Sequence, residues 1–118
     1  MSESAPVTVI EMPEFLSAMR KLMDDAGRAT VVDYLAYNPT AGNLMRGTGG
    51  IRKIRWSLEG RGKRGGARVI YFYHSNDLPL FLLTAYAKNV KADLTQTDRN
   101  DFRRLTKLLV ERYGKGKQ

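Results

Sequence analysis

The sequence has no cysteine and a single histidine, His74. The first absence excludes a disulfide scaffold and a thiolate zinc site. The second leaves no His-rich metal cluster. No apolar run approaches the roughly 20 residues that a membrane span requires. The start, MSESAPVTVIEMPEF, has no basic segment leading into an apolar one, so it does not read as a secretory signal. The expectation is a cytoplasmic chain with no cofactor, no metal and no membrane contact. Its 118 residues suit a single domain, 1–118, with mobile ends at 1–5 and 114–118. A hydrophobic content of 42% supports one compact core of modest size.

Acidic residues are nearly missing from one block, Arg46 to His74, RGTGGIRKIRWSLEGRGKRGGARVIYFYH. Those 29 residues hold eight of the twenty Lys and Arg and one acid, Glu59, for a net charge of +7. The other 89 residues carry twelve bases and eleven acids. Nearly all the excess of a +8 chain is therefore concentrated in one block. Gly-rich turns alternate there with strand-like sequence, so the block is not a solvated tail. A folded, concentrated positive field suits a polyanion, and nucleic acid is the first candidate.

Val7, Val9 and Ile10 suggest a short strand. Pro13 suits a first helical turn, and Phe15, Leu16, Met19, Leu22 and Met23 recur at helical spacing, which predicts a helix over 13–24. Asp25 is a candidate cap for a second helix with Val31, Val32, Tyr34 and Leu35 on its buried side. Asn38-Pro39 ends that helix, because proline disfavours helix in the residue before it. Residues 38–50 read as a loop. Strands are expected at 51–58, 67–74 and 78–88, with a basic glycine turn at 60–66. In the first of these, Ile54, Trp56 and Leu58 share one face, and Lys53, Arg55 and Ser57 the other. Short connections make the three an antiparallel meander. Thr95, with Asp98 three residues on, predicts a capped last helix with Phe102, Leu105, Leu108 and Leu109 as its apolar side and Gly114 at its end.

GTGGIRKIRW, GRGKRGGARVIYFYH and LLTAYAKNVKADLT resemble the HigB-type branch of the RelE/ParE superfamily of type II toxins, over about residues 44–110. The resemblance implies an α+β domain: an N-terminal helical hairpin on a twisted, mainly antiparallel sheet, with a C-terminal helix. It implies an endonuclease that cuts mRNA in the ribosomal A site. It implies a cognate antitoxin, HigA-like with a helix-turn-helix, that silences it. It also places Arg68 at the family position that contacts the scissile phosphate. In many relatives a Tyr near the C-terminus acts in catalysis. Tyr113 is the only one so late here, and the motif does not align it, so the general base stays open.

RNA can be cut by its own 2′-OH, which attacks the adjacent phosphorus and leaves a 2′,3′-cyclic phosphate. A base must take the 2′ proton, cations must stabilise the phosphorane, and an acid must protonate the leaving 5′ oxygen. One histidine excludes a His–His mechanism. Lys, Arg and Tyr remain. Neighbouring cations disfavour a lysine's charged form, and Lys63 lies between Arg61 and Arg64 as Lys53 lies between Arg52 and Arg55. Arginine holds phosphate bidentately. Tyr86 and Lys88 are two apart and share a face. The catalytic candidates are Arg68, Lys88, Tyr86 and Lys63. The candidates for RNA or ribosome binding are Lys53, Arg55, Arg61, Arg64 and Arg46.

Plainer roles compete for several of these residues. Arg52 reads as solvated or ion-paired, Tyr71 and Tyr73 as packing, Trp56 as core, and His74 as a strand end. Lys63 and Arg64 also suit simple phosphate anchoring, and Asp93 suits pinning the turn before the last helix. Two other functions compete with the nuclease: a ParE-like gyrase inhibitor and a non-catalytic RNA-binding protein.

Overall fold

The computed structural model describes residues 5–58, 62–90 and 93–114, with the side chains of 62–65 excluded. The expected mobile ends, apart from Ala5 and Gly114, lie outside the described residues. The described elements run β1 (Val9–Glu11), α1 (Pro13–Arg20), α2 (Asp25–Tyr37), β2 (Asn43–Leu44), β3 (Ile51–Leu58), β4 (Gly62–Phe72), β5 (Leu80–Ala87) and α3 (Gln96–Gly114). The five strands form one sheet in the order β1-β5-β4-β3-β2. β1 runs parallel to β5, and every other pairing is antiparallel. The α+β architecture is the expected one.

Alternation along β4 divides the core in two. Val69 and Tyr71 face α1 and α2, where they meet Phe15, Met19, Val31 and Leu35. Ile70 and Phe72 face α3, where they meet Ile51, Phe81, Leu83, Leu94 and Leu109. A strand covered on both faces needs apolar residues at successive positions, and ARVIYF supplies them with one exception, Arg68.

Several boundaries differ from the sequence reading. α1 stops at Arg20, and Leu22 and Met23 pack from the connection that follows rather than from helix. Asp24, not Asp25, caps α2, its carboxylate accepting from the Gly27 N–H at 2.8 Å. Tyr34 is 43% exposed and Leu108 61% exposed, so neither lies on a buried face. The loop over 38–50 contains β2, which pairs with Arg52 and Lys53 of β3. β4 begins at Gly62, five residues before the expected start. The last helix is capped as expected. Thr95 N–H donates to Asp98 Oδ2 at 2.9 Å, and Asp98 N–H donates to Thr95 Oγ1 at 3.0 Å.

The Gly47-Thr48-Gly49-Gly50 turn is a structural device. All three glycines have positive φ, at 77°, 79° and 111°. Thr48 is fully buried, its hydroxyl donating to Met45 C=O at 2.7 Å and accepting from Ile51 N–H at 3.1 Å. A Cβ on Gly49 would stand 2.3 Å from Thr106 Oγ1 of α3. Glycine therefore lets this loop close against the last helix.

Candidate active site

α3 does not cover the whole of its face of the sheet. Beyond Ile70, that face carries Arg68 on β4, Lys53 and Arg55 on β3, and Tyr86 on β5. The ladder pairs Arg55 with Arg68, and Arg68 with Tyr86. Lys53, Arg55, Arg68 and Lys88 line one open depression of about 510 Å³, together with Ala41, Asn43 and Ile54. Lys88 follows the last residue of β5, and its backbone N–H still bonds Gly66 C=O at 3.0 Å. Four residues from the sequence proposal thus converge on one place.

Arg68 lies in the middle of a central strand and is only 5% exposed. The sequence places it at the start of a strand, which the longer β4 corrects. Its Nη1 donates to the Ala67 carbonyl at 3.3 Å. Among the described residues, no carboxylate lies within ion-pair distance of Arg68, Arg55 or Lys88. A buried guanidinium is costly unless an anion or enough acceptors meet it. This one fronts a depression with three more cations around it, an arrangement that invites a phosphate.

Tyr86 reaches this face because of a bulge. Phe81 and Leu83 pack toward α3 and Leu82 toward α1, so strict alternation would turn Tyr86 toward α1. The β4–β5 register shifts between Ile70 and Tyr71, leaving one extra residue on β5. The alternation resets, Ala85 joins the α1 side and Tyr86 the α3 side. Burial, then the nearby Asp93 carboxylate, pushes the Tyr86 phenol above its usual value near 10, and Arg68 opposes this. The Tyr86 phenol is therefore neutral near pH 7.

Asp93 links the depression to α3. Its Oδ1 lies 3.4 Å from Lys53 Nζ, and its Oδ2 lies 3.6 Å from Arg99 Nη2. Its carboxyl is held below the ordinary value, first by the Leu94 N–H and then by Lys53 and Arg99, against the opposing effect of burial. Lys53 therefore has a carboxylate neighbour as well as cationic ones. The sequence reading gave Asp93 only a turn-pinning role and did not single out Arg99. Nothing in the local pattern marks that contact, because β3 and α3 are far apart in the chain.

The remaining candidates are placed differently. Arg46 is exposed on the loop after β2, and its carbonyl accepts from Arg99 Nη1 at 2.8 Å. It does not line the depression. Lys63 and Arg64 fall within the span of β4, but their side chains lie outside the described residues, as does Arg61 altogether. Arg52 is half-buried and has no ion pair among the described residues. It donates to the Thr40 and Gly42 carbonyls at 3.2 and 2.7 Å and ties the edge of the sheet together. Trp56 is half-buried and meets Tyr34 edge-on at 5.6 Å. Tyr113 packs on Phe81 at 5.0 Å. Phe81 pairs with Phe72, four residues along β4 from Arg68 or about 13 Å, so Tyr113 sits at the far end of this face. Among the described residues, no three His, Cys, Asp or Glu side chains gather where they could hold a metal ion.

The fold has a solved counterpart. A free-state structure of a double Arg-to-Ala mutant of the E. coli toxin RelE superposes with a TM-score of 0.53 at 16% identity, covering 74% of this chain and 88% of that one. At that identity the likeness concerns the fold. The sequence carries the family assignment. The family model described as RelE toxin of the RelE/RelB toxin–antitoxin system matches residues 35–116, well over half of the chain, and spans the whole depression. The chain belongs to the RelE toxin family.

Proposed function

We propose that this toxin is an endoribonuclease that cuts mRNA on the ribosome by 2′-OH attack, and that it acts as one domain of 118 residues. The observation that carries the reading is Arg68: a buried guanidinium with no carboxylate at ion-pair distance among the described residues, opening on a depression lined by Lys53, Arg55 and Lys88. In this scheme the scissile phosphate sits on Arg68, whose fork matches two phosphate oxygens. Lys53 and Lys88 add charge as the phosphorane forms. Tyr86, held as a neutral phenol, donates a proton toward the leaving 5′ oxygen. Lys63 and Arg64 extend the anchor. The proton on the 2′-OH goes to Lys53 or Lys88 in its neutral form, while the other keeps its charge. The resemblance of residues 44–110 supports the HigB-type branch, with a helix-turn-helix antitoxin and a cytoplasmic setting.

The ribosome's part follows from the openness of the site. The depression is open and is lined mainly by charged side chains. In-line placement of the 2′-OH must come from elsewhere, and alignment of that kind contributes about 7–11 kcal/mol. The test is primer extension on an mRNA translated by purified ribosomes with added toxin. Codon-phased breaks ending in a 2′,3′-cyclic phosphate are expected, with the same mRNA left nearly intact when naked. Inhibition of DNA supercoiling with uncut transcripts would overturn the reading.

A further inference from the structure

The positive surface does not end at the depression. It continues across Asp93, which lies between Lys53 and Arg99, onto one flank of α3. Arg99, Arg103 and Lys107 follow one another at four-residue spacing, so they stack along that flank about 6 Å apart. This repeat is comparable to the separation of successive phosphates along an extended strand. Arg103 and Lys107 are exposed.

The loop after β2 adds Arg46 to the same flank. Arg99 bonds the Arg46 carbonyl, and Gly49 lies against Thr106 and the Arg103 backbone. The glycines that permit this approach also bring an exposed arginine beside the helix. No acid lies on this flank between Arg99 and Lys107. Asp98 is occupied with the Thr95 cap, and Asp101 lies around the helix, bonded to Arg104. Glu111 comes only after Lys107. Like charges aligned in this way oppose helix formation, so the arrangement is not explained by stability.

We propose that this flank is a track for the substrate strand: Arg46, Arg99, Arg103 and Lys107 hold the sugar–phosphate backbone of the RNA beyond the nucleotide placed in the depression. The inference rests on the nuclease reading for the direction from which the strand arrives. The continuity through Lys53, Asp93 and Arg99 favours the same strand over a separate RNA. Arg99 is one step from the phosphate held by Lys53, and Arg103 and Lys107 follow.

The test is binding of 2′-O-methyl RNA, which cannot be cut, so the outcome does not depend on nuclease activity. Oligomers of about 4 and 12 nucleotides, both within the range of site sizes of single-strand binders, are titrated by fluorescence anisotropy at low salt. The wild-type protein should bind the longer one about tenfold more tightly. Arg103→Glu/Lys107→Glu should bind both alike, and its salt slope for the longer oligomer should fall by about 1.4, the value for two lost phosphate contacts. Arg103→Gln/Lys107→Gln, which adds no repulsion, should show the same loss of length preference if the reversed pair proves poorly folded by circular dichroism. A wild-type protein without length preference overturns the proposal, as does a neutralised variant that keeps it. A variant that keeps the preference but loses affinity for mRNA-free ribosomes assigns the flank to ribosomal RNA instead.

Discussion

Tyr86 stands directly across from Arg68 in the β4–β5 ladder because β5 carries one extra residue before it. The bulge turns a side chain that would have faced α1 onto the cationic face, where burial and then Asp93 raise its phenol above the ordinary value near 10. A donor is thereby set beside the guanidinium proposed to hold the phosphate.

Tyr86→Phe keeps the ring in the core and removes only the hydroxyl. Cleavage on the ribosome should fall by about 10²-fold or more, within the range for a lost general acid, with unfolding nearly unchanged. The phenol is also open to direct titration at 295 nm. The component missing from Tyr86→Phe should ionise above the ordinary value near 10. In Asp93→Asn it should move downward, because removing a negative neighbour favours the phenolate. A component that stays in place in Asp93→Asn contradicts the proposed coupling.

Arg68→Ala should abolish cleavage, at a cost of about 2.7–4 kcal/mol in transition-state stabilisation. Because Arg68 is buried in a central strand, its aliphatic stem also packs. A modest drop in stability should accompany the loss, and Arg68→Lys separates the two effects. Lysine restores the stem and the charge without the fork, so stability should return while most of the cleavage does not. Primer extension and urea unfolding on the same preparations read both quantities. Full cleavage by folded Arg68→Ala would remove Arg68 from the mechanism.

Much of this site was legible in the chain. The alternation of Lys53 and Arg55 against Ile54 and Trp56 follows from strand period alone, whereas the β3–β4 register shifts between Trp56 and Leu58. Asn38-Pro39, Thr95 with Asp98, and the Gly47–Gly50 turn are local signals, and they mark local features correctly. What the sequence did not carry is non-local. The bulge on β5 is a relation between two strands, and an unbroken alternation cannot announce it. The reach of Asp93 to Lys53 and Arg99 depends on α3 folding back over the sheet. β4 was read too short because Gly62 to Gly66 has turn composition, yet pairing with β3 begins at Gly62. The helix signal for α1 ran too far because Leu22 and Met23 keep helical spacing and still pack after the helix has ended.

Tyr71→Phe tests an interaction outside the site. The hydroxyl donates to Pro39 C=O at 2.8 Å and accepts from the buried Gly42 N–H at 2.8 Å. Removing it strands that N–H, at a cost of about 1–3 kcal/mol. Urea unfolding should show this loss, with cleavage per folded molecule unchanged. The pH dependence has a definite sign. Burial, outweighing the Gly42 bond, raises the Tyr71 phenol above its ordinary value near 10, so its contribution is complete below that pH and is lost as pH rises through the folded value. The wild type should therefore lose stability above about pH 10 more steeply than Tyr71→Phe does.

Gly49→Ala tests the contact that brings the Arg46 loop to α3. Two costs combine. A side chain at φ +79° is strained, and its Cβ would meet Thr106 Oγ1 at 2.3 Å. The backbone part alone is about 1–2 kcal/mol. Thr106→Ala removes the clashing oxygen but not the strained φ, and the remaining Thr106 Cβ lies at an ordinary 3.5 Å. In a urea-monitored double-mutant cycle, Gly49→Ala should therefore be markedly less destabilising in the Thr106→Ala background than in the wild type. About 1–2 kcal/mol should persist in that background, since no change at Thr106 relieves the backbone. Strict additivity would mean that the loop moves away from α3 without cost. The Gly49 contact would then not be what holds Arg46 beside Arg99.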